Sequence, residues 1–305
     1  MTRFRAGDTQ MFKFRTALCL YILFTLALGS RALAQGTYRQ IDVPNAKQTF
    51  IYGINSAGDV VGSYQDPSGS SHGFLLQGGV YTKIDYPGVG AVVNVATGIN
   101  DSGQIVGYFA VANIDTFLGF EYDIATKSFT PLPYTRTSGV STYPVAINNS
   151  GIVGGYAADR AFHTVGFEGD GQFRTVIAPD HRPTTVGGLN NLGQFVVTVL
   201  DIPAISNYLF ANGEFQPLTI PAADAVAGGL NDNGEIVGSY YSDPDHAYLG
   251  FIYENGAIIQ ILRFDSVYGT FPYSINNSGV IGGTLDFGGL YHGFTWTPDA
   301  PLQKN

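Results

Sequence analysis

The chain of 305 residues is poor in cysteine, in charge, in helical periodicity and in long hydrophobic runs. Its single cysteine, Cys19, lies in the first 34 residues. The remainder therefore has no disulfide, no thiolate nucleophile and no cysteine-based metal site, and packing alone must stabilise it. Charged residues make up 13%, against about 25% in an average soluble protein. No segment sustains a 3.6-residue apolar period, which excludes helical bundles. The longest apolar run, residues 17–28, is shorter than the roughly 20 residues of a membrane-spanning helix.

What is present points to a folded, turn-rich protein. There are 40 glycines, 15 prolines, 19 tyrosines and 21 phenylalanines, with 45% hydrophobic residues. Low charge combined with that apolar and aromatic content argues against disorder. Residues 1–34 read as an export signal: Arg3, Arg5, Lys13 and Arg15, then the apolar run, then Ala32-Leu33-Ala34 before Gln35. An uncleaved anchor is the competing reading. Five of the 15 basic and one of the 24 acidic residues lie in that segment, which leaves 10 and 23, a net charge of −13. An acidic surface without a basic cluster repels phosphate backbones and anionic headgroups, so neither nucleic acid nor insertion into a membrane after signal cleavage is expected.

The dominant feature is an internal repeat. Ile54-Asn55-Ser56-Ala57-Gly58 recurs as Ile99-Asn100-Asp101-Ser102-Gly103 and Ile147-Asn148-Asn149-Ser150-Gly151. It returns as Leu189-Asn190-Asn191-Leu192-Gly193, Leu230-Asn231-Asp232-Asn233-Gly234 and Ile275-Asn276-Asn277-Ser278-Gly279, with the asparagines 45, 48, 42, 41 and 45 residues apart. Each copy continues with an apolar run ending in glycine: Gly62, Gly107, Gly154, Gly238 and Gly282, the fourth copy reading Phe195-Val196-Val197-Thr198 instead. Gly-Phe follows at 73–74, 119–120, 166–167, 250–251 and 293–294, with Leu209-Phe210 in the fourth copy. Asn-x-x-Gly between short β-branched runs suits a hairpin, the asparagine capping the turn and the glycine taking the left-handed conformation.

Four short strands, a to d, in 41–48 residues and six copies predict an all-β fold: a six-bladed β-propeller of four-stranded blades, occupying residues 35–305 as one domain. The sixth copy ends after Trp296 without a strand d, whereas Tyr38-Arg39-Gln40-Ile41-Asp42 is a strand d without a copy. Joining this N-terminal strand to the last blade closes the ring and removes two exposed edges.

Ile-Asn-Asp-Ser-Gly-Gln-Ile-Val-Gly at 99–107, together with His-Gly-Phe at 72–74 and 292–294, resembles the HAF family of bacterial extracellular repeats, over about residues 38–297. Glycine stands where that family has alanine, and histidine occurs in two of six copies. The resemblance implies an exported repeat protein of the cell envelope or extracellular space. It implies no reaction, so no catalytic residue is assigned.

Propeller topology puts the short a–b and c–d turns on one face and the variable b–c loops on the other, where binding usually resides. Candidate ligand-binding residues there are Tyr64 and Asp66 in the first loop, Asp159, Arg160 and His163 in the third, His181 after it, and Asp243, Asp245 and His246 in the fifth. His72 and His292 occupy a position that holds Leu118, Val165, Tyr208 and Leu249 in other copies, which reads as packing. Tyr64, Phe109, Tyr156 and Tyr240, two residues after the strand-b glycine, read as inter-blade packing. No metal motif, nucleophile elbow or phosphate loop occurs, so no cofactor is expected. Three Asn-x-Ser matches coincide with the hairpin turns, whose geometry already explains them.

Two functions fit: a secreted, periplasmic or envelope binding or scaffold module for an extracellular protein or glycan, and an extracellular carbohydrate-active hydrolase or lyase using the acidic and histidine side chains of the variable face.

Overall fold

The computed structural model describes residues 36–302 except 113–115, 135–138, 162, 180–181, 202–203, 223 and 266. The leader and His181 lie outside the described residues. All described residues belong to one compact unit, Leu33–Asn305. They form strands and turns and no helix, so none is long and apolar enough to cross a membrane.

An isolated strand β1 (Gly36–Ile41) precedes the repeats. The first copy supplies β2 (Gln48–Ile54), β3 (Val60–Gln65), β4 (Ser71–Gln77) and β5 (Val80–Ile84). The second supplies β6 (Ala91–Ile99), β7 (Gln104–Val111), β8 (Phe117–Asp123) and β9 (Ser128–Pro131), and the third β10 (Ser141–Ile147), β11 (Val153–Ala158), β12 (Thr164–Gly169) and β13 (Arg174–Val176). The fourth gives β14 (Thr184–Leu189), β15 (Phe195–Asp201), β16 (Ala204–Ala211) and β17 (Glu214–Leu218); the fifth β18 (Val226–Leu230), β19 (Ile236–Ser242), β20 (Ala247–Glu254) and β21 (Ala257–Leu262). The sixth supplies only β22 (Gly269–Ile275), β23 (Ile281–Asp286) and β24 (Tyr291–Pro298), and β1 pairs antiparallel with β24 from Gly36↔Pro298 to Ile41↔Gly293.

Each copy is thus a four-stranded antiparallel meander, and a single parallel bridge (Ser71↔Val93, Tyr248↔Gly269) links two pairs of copies. The first strands of the copies lie against one another in series, β2 on β6, β6 on β10 and onward to β22, which lies against β2.

The asparagine turn explains this arrangement. Its glycine is left-handed in all six copies, with φ of 72–84°, a conformation that costs glycine little. In the third copy Asn148 Oδ1 accepts the N–H groups of Ser150 and Ile152, both at 3.0 Å, while Nδ2 donates to the Asn190 carbonyl at 3.1 Å. Asn100, Asn190, Asn231 and Asn276 repeat the pattern, Asn276 donating to the Asn55 carbonyl across 221 residues of sequence. One side chain therefore closes its own hairpin and ties it to the next.

The structure corrects the repeat register at two places. Gly107 and Gly238 face the edge of the strand-c phenylalanine and the carbonyl oxygen of strand a; in the third and sixth copies this position is Gly155 and Gly283, not Gly154 and Gly282. In the fourth copy Val197 pairs with Tyr208, so Asn207-Tyr208 replaces Gly-Phe, and Phe210 stacks on Phe195 at 4.5 Å. Valine leaves no slot for a ring there.

Candidate functional site

Every innermost strand carries a β-bulge three residues before its asparagine. A bulge removes a residue from the ladder and re-aims its side chain. The bulged residues are Tyr52, Thr97, Val145, Gly187, Gly228 and Tyr273, and all six line a cavity of about 250 Å³. The next position is Gly53, Gly98, Ala146, Gly188, Gly229 or Ser274, kept small because neighbouring strands approach closely; a Cβ on Gly229 would lie 2.8 Å from the Ser274 Cα.

The cavity has two unlike walls. Tyr52, Tyr108, Tyr143, Tyr156 and Tyr273 form one, with ring centroids 5.4 Å apart for Tyr52–Tyr273, 5.1 Å for Tyr108–Tyr143 and 4.8 Å for Tyr143–Tyr156. Gly187, Gly188, Gly228 and Gly229 form the other, where the ladder skips two residues in each strand and leaves their peptide groups unpaired by it. Its floor is a collar of Ile54, Ile99, Ile147, Leu189, Leu230 and Ile275, beyond which a smaller space of about 70 Å³ lies among the asparagine turns.

Burial pushes the five phenols up, Tyr156 and Tyr273 to about 12 and Tyr52 and Tyr108 beyond that, so all are neutral hydroxyls at any physiological pH. Ser63 near Tyr52 and Ser141 near Tyr143 oppose that rise, and no serine acts on Tyr108, Tyr156 or Tyr273. Ser274 Oγ is buried without a hydrogen-bond partner. Among the described residues that line the cavity, none is charged and none is a histidine. Tyr156, expected in inter-blade packing, is therefore a wall of this cavity; the register of Gly155 places it beside Tyr108.

The sequence-derived candidates fall on three separate loops. In the first, Asp66 Oδ1 accepts Ser68 N at 2.8 Å, Ser68 Oγ at 2.7 Å and Ser70 N at 2.9 Å, and these bonds hold its carboxyl down to about 2. Tyr64 stacks beside His72 at 5.2 Å. In the third, Asp159 accepts His163 Nδ1 at 2.9 Å together with the Ala161 and His163 amides, again lowering its pKa, and Arg160 is exposed. In the fifth, Asp245 accepts Ser242 Oγ at 2.6 Å and pairs with Arg263, while Asp243 and His246 are exposed and share a turn. The described bonds of these carboxylates stay within their own copies and fasten loops. Among the described residues no cluster could hold a metal.

His72 and His292 are not simple packing positions. His72 Nδ1 lies 2.7 Å from Asp85, with Asp66 at 3.4 Å from Nε2, and His292 Nδ1 lies 3.0 Å from Asp42. The structural counterpart of His72 in the fourth copy is Ser206, not Tyr208. A signal for the pairing was present: histidine occurs only in the two copies whose strand d ends in Ile-Asp, at 84–85 and 41–42.

No family model and no curated protein matches the chain. Among solved structures it is similar to TolB from Acinetobacter baumannii, at 14% identity and a TM-score of 0.56, over 80% of this chain and 64% of that one. It also aligns with the β-propeller domain of the Trilobed protease from Pyrococcus furiosus (10% identity, TM-score 0.49, 85% and 99% of the two chains). The PQQ-bound aldose sugar dehydrogenase from Streptomyces coelicolor gives 11% identity and a TM-score of 0.47 over 87% and 98%. The chain spans 64% of the TolB chain, and that likeness is one of fold. The class is therefore all-β, built of four-stranded meanders, with a TolB-like fold.

Proposed function

We propose that the protein is a six-bladed β-propeller of the HAF repeat type, closed by its N-terminal strand, exported by a cleaved signal to the periplasm, envelope or exterior, and working there as a binding module. Its ligand is an extracellular glycan or protein met on the face that carries the b–c loops and the mouth of the axial cavity. The carrying observation is the cavity wall: neutral tyrosines and bare backbone, with no acid, base or ionic anchor among the described residues. General acid–base chemistry needs a group that titrates near the working pH, and phenols raised to about 12 do not. The loop carboxylates, which a hydrolase would need, are engaged in capping their own turns.

The test is a screen of the purified mature chain against envelope polysaccharides and extracellular proteins, with binding and product formation followed in parallel. Saturable binding without turnover is expected. Turnover of a polysaccharide that disappears on changing Asp159 or Asp245 to Ala would make the protein an enzyme and sink the reading.

A further inference from the structure

The axial cavity also limits what can be bound. Its volume, about 250 Å³, falls just under the roughly 300–1,000 Å³ of sites for drug-sized ligands, so it admits one ring-sized group. The described lining residues carry no charge, which favours a neutral ligand over a carboxylate, phosphate or ammonium, because a buried unpaired ion is strongly disfavoured. Yet the walls are not simply apolar. Tyrosine faces meet C–H surfaces while their hydroxyls bond polar groups. The hydroxyls of Tyr108, Tyr156 and Tyr273 have no described partner, and two glycine pairs stand outside the ladder. Buried polar groups normally find a partner, and the residues that carry these groups line the cavity.

Resting on the binding-module reading, we infer that this cavity is the subsite for the terminal ring of a neutral saccharide: one ring face stacks on the tyrosine wall, and its hydroxyls bond the free phenols and the peptide groups of Gly187, Gly188, Gly228 and Gly229. The Ile/Leu collar stops the chain end, since the space beyond is only about 70 Å³. Subsequent sugar units run outward over exposed rings at the fifth and sixth copies. Tyr241 packs against Tyr248 at 5.3 Å and Tyr248 against Phe271 at 5.3 Å, and Phe271 shares β22 with the cavity residue Tyr273.

Gly228 supplies the test. It occupies the bulge position that holds Tyr52 and Tyr273 in other copies, and a Cβ there meets nothing nearer than 3.6 Å. Gly228→Tyr thus fills the bare wall without backbone strain. Glucose, galactose, mannose, N-acetylglucosamine and their oligomers are titrated calorimetrically into the mature chain, with galacturonate as a charged counterpart. At least one neutral sugar is expected to bind, its oligomer more tightly, and galacturonate about tenfold more weakly than galactose. G228Y should abolish binding while leaving Tm unchanged, and Tyr108→Phe with Tyr156→Phe should weaken it about three- to tenfold, the worth of one or two hydrogen bonds. The phenylalanine pair carries the test alone if G228Y does not fold. Neutral-sugar binding untouched by either change overturns the axial subsite but leaves the module standing. Binding only of charged glycans or of a protein does the same. Turnover, in contrast, defeats the module reading itself.

Discussion

Residue identity is most tightly constrained where strand b passes beneath the strand-c phenylalanine. A Cβ added to Gly107 would lie 2.1 Å from the Val95 carbonyl oxygen and 2.7 Å from the Phe120 ring, both inside van der Waals contact. Phe120 is fully buried, so nothing there can retreat cheaply. Gly107→Ala is expected to cost about 1–3 kcal/mol as overpacking, whereas Gly228→Ala should be close to neutral; thermal melts of the two variants provide the comparison. The role of this glycine was legible in sequence from its recurrence, but its address was not in the third copy. Gly154-Gly155 offers two equivalent readings, and only pairing with strand c, Gly155 against Phe167, separates them. The same slip concealed Tyr156, whose side changes with a one-residue shift. A second prediction concerns Asp66. Its carboxyl falls from about 3.9 in an unfolded chain to about 2, chiefly through Ser68; burial opposes this, and Ser70 and His72 add to the lowering. A depressed carboxylate stabilises fully above its unfolded value and loses that contribution as pH falls through the folded one. Protection of the Ser68 and Ser70 amides, relative to the unstructured-peptide exchange rate at each pH, should therefore fall between pH 4 and pH 2, and Asp66→Asn should remove the step. A protection factor that is flat over this range would show that the carboxylate does not hold the loop.

The turn is the element that converts six hairpins into one object. Asn148 spends its carbonyl oxygen on two amides of its own turn and its amide nitrogen on the next copy's Asn190. Beside it runs a second chain of bonds, in which Asp101 N donates to Asn149 Oδ1, Asn149 N to Asn191 Oδ1 and Asn191 N to Asp232 Oδ1. Asp101 is drawn into this belt: burial pushes its pKa up, but the bonds from Ser56 and Asn149 outweigh that and hold it low. Asn148→Ala should cost about 2–4 kcal/mol, from one buried and two part-buried hydrogen bonds at roughly 0.5–1.5 kcal/mol each. Asn148→Asp separates the two roles, since it preserves the acceptor inside the turn and places an oxygen against the Asn190 carbonyl. If the aspartate variant melts with the wild type, the inter-copy bond contributes nothing. The recurring asparagine made the turn readable from sequence. The bulge three residues earlier was not, because Tyr52, Thr97, Val145 and Gly187 share no side-chain chemistry; what they share is a small residue next in line and a place on the axis. Strand ends show a similar economy. The residue after the last aliphatic of strand d fastens strand c or the b–c loop, as Asp85 to His72, Asp42 to His292 and Arg263 to Asp245.

At the scale of the whole molecule, stability depends on how the first and last copies meet. An open array of repeats unfolds approximately as a sum of neighbours, whereas a closed ring must break an interface before any unit can leave. Three contacts join the chain ends here: the six-residue pairing of β1 with β24, the His292–Asp42 pair at 3.0 Å, and Gly36 lying against the indole of Trp296, where a Cβ would come within 2.3 Å of the ring. Trp296 is fully buried, and Tyr38 covers Phe294 at 5.6 Å and Phe264 at 4.9 Å. The His292–Asp42 pair is partly exposed, so it contributes only about 0–1 kcal/mol; the apolar contacts of β1 carry most of its attachment to β24. Deleting residues 36–44 should therefore lower Tm markedly and expose Trp296, with a red-shifted emission, while His292→Ala should shift Tm only slightly. A synthetic peptide of residues 36–44 added in trans should pair with the vacant edge of β24, since strand addition supplies both main-chain bonds and side-chain contacts, and restore both readouts in a concentration-dependent way. A truncated chain that melts at the wild-type temperature with Trp296 still shielded would mean that β1 merely lies on a copy already complete, and that the ring is held by the asparagine belt alone.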